Sequence, residues 1–178
     1  MLFYIIFYYN YIYLYIYITL TKTCNTDQIK VNSDLFKIYH QNVRSLRSKT
    51  QELLSHMYPD LPHVICLTEH HLNIQEKSHV NIESYTIGAQ FCRTSYERGG
   101  VIIYVHNSLK FTNIDVSEYC KEKDTEIGAV KLNINPLTMH IITIYRAPSG
   151  NFTYFLQNLD NVLQSLILLP HISLFVVI

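Results

Sequence analysis

In Val64-Ile65-Cys66-Leu67-Thr68-Glu69 a short apolar run leads straight into a carboxylate. A continuous apolar run of this length, closed by polar residues, reads as a buried strand whose end emerges at the rim of a sheet. Ligands of open α/β sheets gather where strands end, so Glu69 is placed for chemistry, although a glutamate can also end a strand merely by being solvated. Upstream, Phe36-Lys37-Ile38-Tyr39-His40-Gln41-Asn42 is a second strand that ends in a polar side chain. A helix-length insert separates the two. The pattern predicts a strand–helix–strand unit with Asn42 and Glu69 at the same edge.

The insert opens with Val43-Arg44-Ser45-Leu46-Arg47-Ser48-Lys49, three cations within six residues beside Asn42. Serine ahead of a helical pattern is an N-cap signal. Leu46, Leu53, Leu54 and Met57 recur at helical spacing through about His56, and Pro59 and Pro62 stop the helix. Arg44, Arg47 and Lys49 read either as a solvated helix start or as contacts for a polyanion backbone. Cations at a helix N-terminus oppose its dipole, and that misfit gives the second reading equal weight.

Beyond Glu69, residues 70–83 read as an irregular loop and 84–91 as a strand. The adjacent His70 and His71 would face opposite ways on a strand. Arg93-Thr94-Ser95-Tyr96-Glu97-Arg98-Gly99-Gly100 is a turn, and Val101-Ile102-Ile103-Tyr104-Val105 is a strand buried on both faces. Further strands are expected at 111–116, 126–133 and 139–145, with Asn135-Pro136 as the hairpin turn between the last two. Then comes Tyr145-Arg146-Ala147-Pro148-Ser149-Gly150-Asn151, with Asn151 as an N-cap. Phe152, Phe155, Leu156, Leu159, Val162, Leu163, Leu166 and Ile167 give one apolar helical face. Pro170 ends that helix, and 171–178 reads as a buried strand.

The chain has 178 residues, 14 basic and 14 acidic, so no global charge favours nucleic acid. Cys24, Cys66, Cys92 and Cys120 form no C-x-x-C pair, which reads as reduced thiols in an intracellular setting. Nine histidines lack any H-E-x-x-H spacing, and zinc is not expected. Residues 1–20 hold seven tyrosines and no charge. As a helix they would match a bilayer core of about 30 Å, but tyrosine prefers the membrane interface. A signal peptide's basic start and small-residue cleavage site are missing. The composition fits a low-complexity, translated AT-rich repeat better than a membrane tether, and its strand propensity makes it an aggregation hazard. Residues 21–34 read as a linker, and the folded domain should occupy 35–178.

The order Gln41-Asn42-Val43-Arg44-Ser45-Leu46, Leu67-Thr68-Glu69, Gly99-Gly100-Val101-Ile102-Ile103-Tyr104-Val105, Ile144-Tyr145-Arg146-Ala147-Pro148-Ser149-Gly150-Asn151 resembles the endonuclease/exonuclease/phosphatase superfamily. More narrowly, it is similar to the endonuclease domain of Jockey-like insect non-LTR retrotransposons. The resemblance covers about residues 36–178. It implies an α/β fold, a partial four-layer α/β/β/α sandwich of the deoxyribonuclease-I type that is truncated at its C-terminal side. It implies a Mg2+-dependent phosphodiesterase acting on DNA, with no small-molecule cofactor, nuclear if functional and associated with a reverse transcriptase. Glu69 falls on the family's metal-binding glutamate, Asn42 on the asparagine that supports metal and phosphate, and Tyr145 on the tyrosine that bonds the scissile phosphate. Arg44, Arg47, Lys49, Arg146 and Asn151 become candidate substrate contacts, with Ser149 or Asn151 standing in for an asparagine after the Tyr-x-x-Pro turn.

The family's Gly-Asp-x-Asn turn and its Ser-Asp-His motif occur nowhere in the 178 residues. The resemblance therefore implies a remnant that is inactive or very weak, with its second sheet largely missing and apolar faces uncovered. A non-catalytic nucleic-acid-binding module and a protein tethered to a membrane through residues 1–20 are the alternative readings.

Overall fold

Apolar side chains at every second position of the strands build two sheets back to back, with one helix outside each. The structure is a computed structural model that describes residues 4–6, 11–19, 33–134, 137–167 and 173–177. Its elements are β1 (Tyr4–Ile6), β2 (Tyr11–Thr19), β3 (Ser33–Asn42), α1 (Thr50–Met57), β4 (Val64–Thr68), β5 (Tyr85–Phe91), β6 (Val101–His106), β7 (Phe111–Asn113), β8 (Glu126–Ile134), β9 (Leu137–Tyr145), α2 (Phe152–Ile167) and β10 (Ser173–Val177). One sheet has the order β2-β3-β4-β6-β5 and the other β1-β10-β9-β8-β7.

The period of two sorts the side chains into layers. In β4 and β6, Val64, Cys66, Ile103 and Val105 face the other sheet, where they meet Val130, Leu132, Met139 and Ile141. Ile65, Leu67, Ile102 and Tyr104 face outward and are covered by Leu53 and Met57 of α1. On the far side, Ile127, Ala129 and Ile142 are covered by Val162 and Leu166 of α2. Each fully buried aliphatic side chain contributes about 1.5–3 kcal/mol. The result is the four-layer α/β/β/α order that the resemblance implies.

The expectation that the second sheet would be largely missing is corrected. Five strands form it, because β8 and β9 pair antiparallel along nearly their whole length and β10 adds in parallel to β9. The strand expected at 111–116 stops at Asn113. The loop at 70–83 contains a 3-10 helix, Ile74–His79, closed by a capping box in which Asn73 accepts from Glu76 N and Glu76 accepts from Asn73 N. Helix α1 starts at Lys49 with no side-chain cap, so the serine signal is not used. Leu46, counted into the helical face by spacing, is fully buried in the turn ahead of it.

Residues 11–19, set apart by composition, lie antiparallel along β3 in nine register pairs from Tyr11↔Gln41 to Thr19↔Ser33. Uncharged tyrosine–isoleucine alternation suits a strand, and here it covers the free edge of β3. No helix among the described residues is long and apolar enough to cross a membrane. The linker at 21–32, the turn at Asn135-Pro136, Pro170 and Cys24 lie outside the described residues.

Two buried histidines couple this core to pH. His70 is fully buried; its Nε2 meets the Phe91 carbonyl at 2.9 Å and its Nδ1 accepts from Leu72 N at 3.0 Å. Gly100, at φ +90, leaves space for this ring, which any Cβ there would overlap. His40 is buried with no hydrogen-bond partner for either ring nitrogen among the described residues. Burial lowers both imidazoles to about 4. The unfolded chain therefore takes up these protons first, near 6.5, and stability present above that pH is lost as the pH falls toward 4. Each histidine accounts for roughly 3 kcal/mol over this window. Urea unfolding at pH 7.5, 6 and 5 should show a falling midpoint, and a His70→Gln variant should show a shallower fall across the same range.

Candidate active site

Strands β3 and β4 pair in parallel with Asn42 opposite Thr68, so both chains leave the sheet at one edge. The ladder continues past the strands through Val43 N to Thr68 O (3.0 Å), Ser45 N to Glu69 O (2.8 Å) and Leu46 N to His70 O (2.9 Å). Along it Arg44, Ser45, Glu69 and His71 take left-handed backbone, at φ 44, 90, 54 and 58. Such residues cost about 1–3 kcal/mol each and persist where surrounding bonds over-determine them. Here the paired ladder and a bond from His71 N to Gly99 O hold them. The left-handed turns break strand alternation: His70 enters the core, while Glu69 and His71 stay together at the rim.

One oxygen of Glu69 is the centre of this rim. Its Oε1 accepts from Asn42 Nδ2 and from the Tyr145 hydroxyl, both at 2.8 Å. Tyr145 ends β9, so the carboxylate joins the two sheets. Burial, reinforced by the bond to Glu69, pushes the Tyr145 phenol above its usual range and keeps it a donor at neutral pH. Glu69 Oε2 accepts no hydrogen bond from any described residue; His71 Nε2 stands 3.8 Å away. Burial lowers the His71 imidazole, against the pull of Glu69, so the ring is mainly neutral at pH 7. Glu69 Oε2 and Asn42 Oδ1 are thus the oxygens on offer to a hard cation. No group of three or more His, Cys, Asp or Glu side chains gathers to hold a metal among the described residues.

A second network, unforeseen in the sequence, braces the first. Glu126 is fully buried at the start of β8, opposite Tyr145 in register. Its Oε1 accepts from Arg93 Nε (2.6 Å) and Lys123 N (2.9 Å), and its Oε2 from Gly100 N (2.6 Å). The Arg93 guanidinium packs where a Cβ on Gly99, at φ +102, would sit, and lies 6.0 Å from the centre of the Tyr145 ring. A glutamate ahead of an apolar strand was the available signal, but a solvated strand start looks the same in sequence.

The structure distributes the candidate substrate contacts unevenly. Arg44 is exposed beside Asn42, whose Oδ1 accepts from its backbone nitrogen at 3.3 Å. Lys49 Nζ donates to the Val43 and Arg44 carbonyls at 3.3 and 3.4 Å. Arg47 forms a two-pronged pair with Glu76, both contacts at 2.7 Å. Arg146 donates to the Ala147 and Gly150 carbonyls and lies over the Phe152 ring, while Asn151 Oδ1 accepts from Tyr154 N as the cap of α2. These side chains of Arg146 and Asn151 bind their own loop and bond none of Asn42, Glu69 or Tyr145.

No protein-family model and no curated protein matches the sequence. Solved structures do match the fold. They include D. rerio TDP2 complexed with single-strand DNA product (TM-score 0.57, 16% identity, 79% of this chain and 58% of that one). The endonuclease domain of TRAS1, a telomere-specific non-LTR retrotransposon, matches with TM-score 0.57, 11% identity and coverages of 79% and 57%. The AP endonuclease LMAP from Leishmania major matches with TM-score 0.55, 20% identity and coverages of 84% and 51%. The fold is that of the endonuclease/exonuclease/phosphatase superfamily, and the chain spans between half and three fifths of these three neighbours.

The Arg93–Glu126 pair makes a sharp stability prediction. Glu126→Ala leaves a buried guanidinium without its counter-charge and should cost about 3–5 kcal/mol in urea unfolding. A loss under 1 kcal/mol would show that the pair is solvated and braces nothing.

Proposed function

We propose that this chain carries the metal and phosphate corner of a DNA phosphodiesterase site, related to the endonucleases of non-LTR retrotransposons, and that it is a very weak nuclease by itself. The observation that supports the reading is Glu69: Asn42 and Tyr145 fix one oxygen, and the other is left open at the rim. The fit to Mg2+ is that of a cation held by one carboxylate and keeping most of its waters. Glu69 Oε2 would hold it, with Asn42 Oδ1 alongside. When bound, the cation supplies charge neutralisation at the phosphate and a more acidic water.

The chain's own residues do the rest. The Asn42 amide and the Tyr145 hydroxyl fix the plane of the carboxylate, so its open oxygen needs no reordering. Tyr145, kept protonated by its surroundings, is the donor closest to hand for a phosphate oxygen. Arg44 offers an unengaged cation at the same tip for the flanking backbone. Nothing in the Gly-Asp-x-Asn or Ser-Asp-His class is present to position and deprotonate water. A missing general base alone costs about 10²–10⁴ in rate.

DNA is the proposed substrate, by likeness to neighbours solved with DNA. Supercoiled plasmid incubated with the protein and Mg2+ should show nicking no faster than the Glu69→Ala variant gives. Robust nicking that disappears in Glu69→Ala would overturn the claim of near-inactivity and keep the assignment of Glu69.

A further inference from the structure

Beside the Glu69 rim lies a cleft of about 480 Å³, lined by Arg47, His71, Asn73, Arg93, Tyr96 and Arg98 among others. Its inner wall belongs to the site already described: His71 stands against Glu69, and Arg93 lies near the Tyr145 ring. Its outer wall is the 93–98 turn, and that turn is rigidly built. The Glu122 carboxylate accepts from Thr94 N and Oγ1, from Ser95 N and from Tyr96 N, at 2.6 to 3.2 Å. Burial works against this carboxyl, yet the bonds outweigh it and hold the group below its usual range. One loop carboxylate thus gathers three successive amides.

What the clamp presents is unusual for a turn. Tyr96 is 49% exposed although its backbone is fixed, and the Lys123 ammonium sits 3.2 Å from the centre of its ring. Arg98, exposed at φ 68, makes no hydrogen bond or ion pair with any described residue. The other two arginines are engaged, Arg47 by Glu76 and Arg93 by Glu126. An aromatic ring and an unengaged guanidinium, held still beside a phosphodiesterase-type rim, are the two groups that single-stranded nucleic acid uses most: stacking for a base and charge for a phosphate. Pre-organisation lowers the entropy lost on binding.

We propose that this cleft receives the nucleotide next to the phosphate at Glu69, with Tyr96 stacking on its base and Arg98 holding its phosphate. The proposal rests on the function proposed above and adds the place where the strand leaves the rim. Lys123 over one face of Tyr96 leaves the remaining surface of that ring for the base. Glu97, in the same wall, disfavours a second phosphate there, so the cleft suits one nucleotide better than a long run of backbone.

The test measures binding by the full chain of a short fluorescein-labelled single-stranded DNA, by anisotropy in EDTA so that no hydrolysis intervenes. Tyr96→Ala should weaken binding by about 5- to 100-fold and Tyr96→Phe by little, because the stacking face survives. Arg98→Ala should weaken it and flatten the dependence of log Kd on log salt by about one phosphate's worth, which a merely structural role would not do. Both sites are exposed, and circular dichroism with the Tyr96→Phe control separates unfolding from lost contact. If the wild type binds and both alanine variants match it in affinity and salt slope, the cleft is wrongly assigned while the function reading stands. If the folded wild type does not bind DNA at all, both fail. If an acidic peptide displaces the DNA at equal concentration through Arg98, the nucleic-acid assignment is overturned.

Discussion

A single carboxylate oxygen ties the two sheets together at one rim. Glu69 Oε1 accepts from Asn42, at the end of a strand in one sheet, and from Tyr145, at the end of a strand in the other. Everything proposed for the site depends on that meeting. It requires β3 and β4 to run in parallel with their ends level, and β9 to reach the same height across the inter-sheet core. The left-handed residues at Glu69 and His71 show how the backbone is bent to satisfy it. Their strain persists because the ladder beyond the strands continues for three more hydrogen bonds.

Around this contact the charges are arranged in depth. Glu126 and Arg93, both buried, neutralise each other and fix the Gly-Gly turn at β6. Glu122 fixes the neighbouring turn from the outside, and Glu76 engages Arg47. The acidic side chains of this region therefore serve mainly to shape loops, which leaves Glu69 as the carboxylate with an open oxygen at the rim. A neutral net charge is compatible with anion recognition when the acids are spent on local structure and a few cations stay exposed.

The sequence revealed the strands and helices that periodicity controls. Continuous apolar runs at 64–68 and 101–105 mark strands covered on both faces, and the regular spacing from Phe152 marks α2. The meeting of Asn42 with Glu69 was legible because parallel strands joined by a helix end at one edge. Other features left no periodic trace. His70 and His71 look equivalent in sequence, and only the left-handed turn at Glu69 sends one into the core and the other to the carboxylate. Arg93 and Glu126 lie 33 residues apart and meet through tertiary packing. Asn151 was read both as a cap and as a substrate contact, and its side chain is engaged as the cap. Residues 11–19 were set aside by composition, yet the alternation that marked an aggregation hazard is the pattern by which they lie along β3.

The central claim is that Asn42, Glu69 and Tyr145 converge to offer one open carboxylate oxygen to a divalent cation. Crystals soaked in Mn2+ and measured at its absorption edge address this directly. The account predicts an anomalous peak about 2.1–2.2 Å from Glu69 Oε2, with water completing its coordination, and no peak in Glu69→Ala crystals. A Glu69 side chain turned away from Asn42 and Tyr145, or a Mn2+ peak elsewhere with none at Glu69, would contradict it.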